Sequence, residues 1–444
     1  MSSSPYRDHR ARFLARLSAE GAVAVVASGG LKVRNHDCEY RFRPDSDFWY
    51  LTGFAEPESV LVLLPGADGA AGRSVLFLRA RDKQLETWNG RRLGVDAAPE
   101  HLGVDEAHDV EDLWDELPVL LAGHERIVYR TGTDAERDRR FLELVGWLRR
   151  RARGNVLPPT ELSDPGPRLH EQRLLKTEAE LELMRRAAAI SAEAHAAAMK
   201  AAGPGVNEAE LDALIDYTFR RRGSTGQAYN NIVAGGANAC ILHYIENDKP
   251  LRDGELLLID AGAEWQYYAS DVTRTFPVNG TFTPDQRALY EVVLGAQHAA
   301  LAAVRPGARF DDVHTAALHV LVDGLVALGL CNGTREEALD SEDYRAFFMH
   351  RTSHWLGLDV HDCGAYSRDG ASRLLEAGMV LTVEPGLYVD PELDVDARWK
   401  GMGIRIEDDV LVTPGGHEVL TAAVPKEVAD VEAACAGAPL QAVR

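Results

Sequence analysis

Short apolar runs mark the first third of the chain. Ala22-Val-Ala-Val-Val-Ala27, Ser59-Val-Leu-Val-Leu-Leu64 and Ser74-Val-Leu-Phe-Leu78 show no polar alternation, the pattern of strands buried on both faces. Helical spacing appears over 10–17 and again over the strongly charged stretch 134–153. Together these runs predict a mixed α/β domain. Two aromatic stretches punctuate it. Asp47-Phe-Trp-Tyr-Leu-Thr-Gly-Phe54 reads as core packing, and Glu86-Thr-Trp88-Asn-Gly-Arg-Arg92 as a solvated turn. No metal-ligand or nucleophile spacing occurs here. Pro158, Pro159, Pro165, Gly166 and Pro167 crowd residues 157–168, which read as a linker. The expected organisation is one domain over 1–170 and a second over 171–444.

Beyond the prolines the period becomes helical. Thr177-Glu-Ala-Glu180 is a capping box, in which the threonine oxygen and the glutamate each satisfy an end amide. An apolar stripe begins at Leu181, Met184, Ala188 and Ile190, and Gly203-Pro204-Gly205 stops the helix near 202. A weak repeat follows. Pro204-Gly205-Val-Asn-Glu-Ala-Glu210-Leu211 matches Pro306-Gly307-Ala-Arg-Phe-Asp-Asp312-Val313 in proline, glycine, acid and apolar positions. Each copy lies between two long helices and is followed by strands carrying carboxylates. The repeat predicts two halves, each of two helices and a hairpin, facing each other across a site.

In the first half the apolar run 255–260 ends on Asp260, and a hairpin with a long loop brings Asp271 beside it. In the second, the run 379–384 ends on Glu384, and the strand 403–412 could pair with it. Along that strand Ile404 and Ile406 face one way and Arg405 and Glu407 the other. A buried carboxylate needs a cation or several hydrogen bonds. Arg405 by itself could satisfy Glu407. Between the hairpins lies His350-Arg-Thr-Ser-His354-Trp-Leu-Gly-Leu-Asp-Val-His361, where His354 or His361 could supply a nitrogen ligand. Carboxylates a few ångströms apart repel unless they share a proton or a cation. One nitrogen with Asp260, Asp271, Glu384 and Glu407 is a hard, oxygen-rich donor set, suited to manganese, cobalt or zinc in a dinuclear site.

Composition narrows the function classes. The chain has 444 residues, 45% hydrophobic and 26% charged, ordinary for a globular protein of two domains. Its formal net charge of −21 argues against nucleic acid as a partner. No apolar run is long enough to span a membrane. The N-terminal residues do not read as a secretion signal. The five scattered cysteines form no C-x-x-C pair and read as buried small hydrophobes in a reducing cytosol. A cytoplasmic location is expected.

The ordered set Asp260, Asp271, His354, Glu384 and Glu407 resembles the ligands of the pita-bread metallopeptidases. Ser353-His-Trp-Leu-Gly-Leu-Asp-Val-His361-Asp362, Asp271-Val-Thr-Arg-Thr-Phe-Pro-Val-Asn-Gly280 and Glu384-Pro-Gly-Leu-Tyr388 are similar to the bacterial aminopeptidase P type, as is Ser46-Asp-Phe-Trp-Tyr-Leu-Thr-Gly-Phe54. The resemblance implies an α+β protein, a C-terminal pita-bread domain with a smaller α/β N-terminal domain. It implies two divalent ions, manganese before zinc or cobalt. Asp271 and Glu407 would bridge them, Asp260 would chelate one, and His354 and Glu384 would complete the other. A hydroxide held between the ions would attack the N-terminal Xaa-Pro bond of a peptide, with Glu384 taking its proton and His361 donating to the developing oxyanion.

The same resemblance gives His243 a contact with the substrate backbone. His350 and Tyr388 would surround the penultimate proline, with Arg405 there or in the layer behind the ligands, and Thr273 would orient the carboxylates. Trp88 matches a tryptophan that reaches a neighbouring subunit's site, so a homo-oligomer, dimer or tetramer, is implied. The acidic segment 331–344 receives no role and reads as a surface excursion. The rival readings are a prolidase acting on Xaa-Pro dipeptides and a non-catalytic pita-bread binding protein. The complete ligand set speaks against the second.

Overall fold

The computed structural model describes residues 5–66, 70–154 and 157–437. They form two compact units, divided in sequence between Arg173 and Leu174. In the first, β1 (Ala22–Ala27), β2 (Val60–Leu64), β3 (Arg73–Leu78), β4 (Glu106–Asp109), β5 (Arg126–Tyr129) and β6 (Glu161–Ser163) make one sheet in the order β4-β3-β2-β1-β5-β6. The three apolar runs are its central strands. β1 pairs antiparallel with β2 and parallel with β5. Val23, Val62 and Phe77 pack with Phe141 and Leu144 of the charged helix expected over 134–153.

Three local features refine the expectations for this unit. The aromatic stretch at 47–54 is a helix, α1 (Ser46–Thr52), capped by Asp45, whose side chain accepts from the N–H groups of Asp47 and Phe48. It buries Phe48, Tyr50 and Leu51, as core packing requires. The stretch around Trp88 is not a turn. It lies on a short helix, α2 (Lys83–Asn89), because Asp82 caps the N–H groups of Gln84 and Leu85. Residues 157–168 are not a free linker either. β6 lies within them, and α3 (Gly166–Leu174) begins there. β6 sits at the sheet edge, paired only with β5, and an edge strand tolerates flanking prolines.

The second unit is two similar halves. In the first, α4 (Glu178–Ala201) and α5 (Glu208–Arg221) lead into the antiparallel strands β7 (Ile232–Gly235), β8 (Leu256–Asp260) and β9 (Thr273–Pro277). In the second, α6 (Pro284–Ala303) and α7 (Phe310–Ala327) lead into β10 (Val380–Val383), β11 (Gly386–Val389), β12 (Met402–Arg405) and β13 (Asp408–Thr413). The capping box at Thr177 opens α4 as expected.

The weak sequence repeat extends to backbone detail. Gly205 has φ +87° and donates its N–H to Leu251 O at 2.8 Å, while Gly307 has φ +81° and donates to Leu375 O at 2.9 Å. Leu251 and Leu375 return hydrogen bonds to Val206 O and Ala308 O. Asp260 lies nine residues beyond Leu251, and Glu384 nine beyond Leu375. The two acids are therefore corresponding positions of a duplicated unit.

The cysteine expectation is corrected. Only Cys331 is buried; Cys38 is exposed and Cys240, Cys363 and Cys435 are half-buried. Cys38 is exposed because it lies on a two-stranded hairpin of exposed residues outside the main sheet. In the acidic segment, Thr334 caps a short helix (Arg335–Ser341) whose single buried residue is Ala338. No helix of the described residues is long and apolar enough to cross a membrane.

Candidate active site

The strand expected over 403–412 is broken. β12 pairs with β11 and β13 with β10, leaving Ile406 and Glu407 between them, opposite Glu384 and Pro385. Pro385 has no N–H to extend the ladder. Ile406 N–H still reaches Pro385 O, at 3.2 Å, but Glu407 N–H turns to Thr273 O of the other half, at 3.1 Å. This switch aims Glu407 at the acids of the first hairpin. A guanidinium locks it. Arg274, 0% exposed, donates to the carbonyls of both Thr273 and Glu407. It also donates to Val424 O, Pro425 O and the Asp408 carboxylate.

The floor formed in this way gathers the expected acids. Asp271, His354 and Glu407 each offer one ligand atom, all within 4.8 Å of one another. His354 Nε2 is 3.3 Å from Asp271 Oδ2 and 3.5 Å from Glu384 Oε1. His354 Nδ1–H donates to Trp355 O at 3.1 Å, which fixes the ring with Nε2 facing the carboxylates. Thr273 Oγ1 donates to Glu407 at 2.6 Å and accepts from Arg405 Nε at 3.0 Å. Arg405 does not satisfy Glu407. Its Nη2 pairs with Asp260 at 2.6 Å, and its Nη1 donates to Tyr388 Oη at 2.9 Å. The Tyr388 hydroxyl continues to His350 Nε2 at 2.9 Å, whose Nδ1–H donates to Arg351 O.

The protonation pattern follows from crowding. Burial drives the Glu384 carboxyl up to about 7 and raises those of Asp260 and Glu407, to which neighbouring acids add. Burial opposes ionisation of Asp271 as well, but the hydrogen bond and charge of His354 outweigh it and hold Asp271 below its usual range. Burial alone would lower His354; its hydrogen bond to Asp271, with the charges of Glu384 and Asp271, raises it to about 9. Three buried acids and the half-buried Glu384 therefore face one arginine and one histidine. The donors fit divalent cations: hard oxygens and one imidazole nitrogen converge, and the group lacks the positive charge it needs.

Above this floor opens a cavity of about 880 Å³, lined among others by His243, His350, His354, His361, Glu384 and Arg405. The His361 ring stands edge-on to His354, with centroids 4.4 Å apart. Burial, then Arg405, pushes His350 down to about 4, so it is a neutral acceptor at pH 7. Tyr388 is 1% exposed behind His350. Trp88 is elsewhere, 81% exposed on α2 of the first unit and not among the residues that line the cavity.

Two residues at the floor escaped sequence reasoning. Tyr229 Oη lies 2.5 Å from both Asp260 Oδ1 and Asp271 Oδ1. It stands in a loop with no periodic signal. Asp409, 1% exposed, accepts from Ser270 Oγ at 2.8 Å and from Asp271 N–H. It shares the parity of Arg405 and Glu407, and that was a usable signal.

Sequence comparison agrees with this geometry. The model of metallopeptidase family M24 matches residues 182–414, more than half the chain. The chain belongs to that family. The model of the aminopeptidase P N-terminal domain matches residues 6–129. The chain is 46% identical to the Xaa-Pro aminopeptidase of Escherichia coli strain K12 over 413 residues, 93% of each protein. It is 44% identical to the Haemophilus influenzae enzyme of the same name over 427 residues, 96% of each. Among solved structures, Pseudomonas aeruginosa aminopeptidase PepP superposes with a TM-score of 0.93 at 46% identity, covering 98% of this chain and 99% of that one. Zinc-substituted E. coli aminopeptidase P in complex with product gives 0.94 at 44%, covering 98% of both. The expected pita-bread fold and the metallopeptidase class are therefore correct for this M24 member.

Proposed function

We propose that this M24 metallopeptidase removes the N-terminal residue from peptides with proline in second position. The observation that carries the reading is the convergence of Asp260, Asp271, His354, Glu384 and Glu407 beneath one cavity, in a chain 46% identical over 93% of its length to an Xaa-Pro aminopeptidase. Asp271 and Glu407 would be shared by two divalent ions, Asp260 would hold one of them, and His354 and Glu384 would hold the other. Bound, two divalent ions supply Lewis acidity and an activated water at neutral pH. The oxygen-rich donors favour manganese over zinc or cobalt.

The chain's own residues do the rest. Glu384 accepts the proton of the attacking water and returns it to the leaving amine. His361 donates to the carbonyl oxygen as charge develops on it. His243 contacts the substrate backbone. His350, backed by the buried Tyr388, and Arg405 receive the proline ring, which offers no N–H for a peptidase to read. A homo-oligomer brings Trp88 of one copy to the cavity of another. The enzyme works in the cytoplasm.

The test is release of the first residue from Xaa-Pro-Yaa tripeptides and from Xaa-Pro dipeptides, with manganese and with chelator. Tripeptide turnover abolished by chelation is expected. Turnover of dipeptides alone would replace the reading with a prolidase, and no turnover at all would overturn it.

A further inference from the structure

One wall of the cavity has little burial to hold it. Residues 241–245 have no regular secondary structure, and Ile241 and Ile245 are 55% and 51% exposed. His243 between them is also exposed and lines the cavity with Leu242 and Ile245. Its apolar anchorage is confined to the Tyr244 ring, 5% exposed, and Leu242 beside it.

What holds it is the first turn of α5. Glu208 is 1% exposed, and its carboxylate accepts four hydrogen bonds. Oε1 takes Gly235 N–H at 2.8 Å and Asn238 Nδ2 at 3.0 Å. Oε2 takes the Tyr244 hydroxyl at 2.8 Å and Lys249 N–H at 3.0 Å. Burial, with the Glu208 charge, pushes ionisation of the Tyr244 hydroxyl upward, so it remains a donor. Four residues along, on the same face of α5, Asp212 accepts from Asn231 Nδ2 at 2.7 Å and from Asn247 Nδ2 at 3.3 Å. Asn247, at φ +45°, also accepts Val233 N–H at 2.9 Å and donates to Asn231 O at 2.9 Å. The segment is thus tied at Tyr244 and again at Asn247. In the duplicated second half the position of Glu208 is taken by Phe310, which itself lines the cavity. This polar frame belongs to the first half only.

We propose that Glu208 and Tyr244 are positioning residues for His243. They hold the 241–245 segment so that the imidazole is presented to the bound peptide. The inference rests on the reading of His243 as a substrate contact, and the experiment separates the two.

Tyr244→Phe keeps the buried ring and removes one donor. kcat and KM for an Ala-Pro-Ala tripeptide are measured in four manganese-loaded proteins: unchanged, Y244F, H243A and Y244F/H243A. Metal content is read by atomic emission. Y244F alone is expected to lower kcat/KM roughly tenfold, the scale of one hydrogen bond to a carboxylate, at unchanged metal content. In the H243A background the same change has less than about a twofold effect, because the residue being positioned is gone. A general structural role would give equal losses in both backgrounds, and that result, or a silent Y244F beside an impaired H243A, overturns the inference alone. A fully active H243A overturns the reading of His243 and the inference with it. Should Y244F fail to fold, Glu208→Gln, which keeps one acceptor oxygen, is run through the same cycle.

Discussion

Arg274 offers a sharp test of what aims Glu407 across the two halves. All five of its N–H groups are used: on Thr273 O, Glu407 O, Val424 O, Pro425 O and Asp408 Oδ1. Asp408, 0% exposed, has three further donors: Lys426 Nζ at 2.7 Å, Gln297 Nε2 at 2.6 Å and Thr421 Oγ1 at 2.7 Å. Breaking a buried ion pair from one side costs about 3–5 kcal/mol. Arg274→Met sits at the lower end, since Lys426 still balances Asp408. Asp408→Leu sits at the upper end, because Arg274 has no route to solvent. Lys426, with a side chain 17% exposed, does have one.

At roughly 2–4 °C per kcal/mol, Arg274→Met lowers the melting temperature of the second unit by about 6–12 °C, and Asp408→Leu by more. The double variant Arg274→Met/Asp408→Leu recovers part of the loss, since no buried charge is left alone. The assay is scanning calorimetry of the full chain, with the second unit's transition identified as the one that added divalent ions shift upward. A shift below about 2 °C for Arg274→Met, or a double variant as unstable as the two losses summed, would refute the assignment of this knot as a buried charge pair.

Other expectations are as direct. Thr273→Val removes the donor to Glu407 and the acceptor of Arg405 Nε; a 10–100-fold loss of metal affinity is expected by calorimetric titration, and unchanged affinity would contradict it. Asp260→Ala or Glu407→Ala abolishes peptidase activity and loses at least one ion by atomic emission; full activity would end the proposed mechanism. Chelation lowers the melting temperature as well as activity, because saturation at a hundredfold excess over Kd contributes about 2.7 kcal/mol. In the first unit, Asp47 lies 2.7 Å from Arg173 and 2.6 Å from Arg130. Burial opposes its ionisation, but the hydrogen bond from His170 and the charges of Arg173 and Arg130 outweigh burial and hold its carboxyl well below the usual range. Its folded-state pKa is depressed, so its contribution is complete above the unfolded carboxyl's value of about 3.9 and fades as pH falls through and below it. Asp47→Asn therefore flattens the acid limb of stability against pH, and a curve parallel to the unchanged protein's would count against it.

Much of the site was legible because chemistry at strand ends leaves a local mark. The first run is a strand that ends on Asp260, the second a strand that ends one residue before Glu384, and the capping box at Thr177 opens its helix. The duplicated Pro-Gly corners are visible because glycine is needed at positive φ in both. The break at Ile406–Glu407 was not legible from the strand itself: Asp408 interrupts the apolar parity of Ile404, Ile406, Val410 and Val412, but one polar residue does not by itself end a ladder. Only the partner strand, with Pro385, reveals it. Tyr229 left no signal because its partners lie 31 and 42 residues away and no spacing rule links them. The prolines of 157–168 misled because an edge strand and a helix start tolerate proline as readily as a linker does.

The pairing of the halves has a consequence in time. Asp260 meets Arg405 across 145 positions, and Ser270 meets Asp409 across 139. Local helices and each hairpin can form within their own stretch of chain, but these contacts wait for long loop closures between the halves. Asp260 and Asp271 come together within their own hairpin, but they meet Glu384 and Glu407 only when the halves dock, and repulsion between the two pairs opposes that step. Bound cations would offset that repulsion, so the docked arrangement of the halves is the part of the fold they stabilise most.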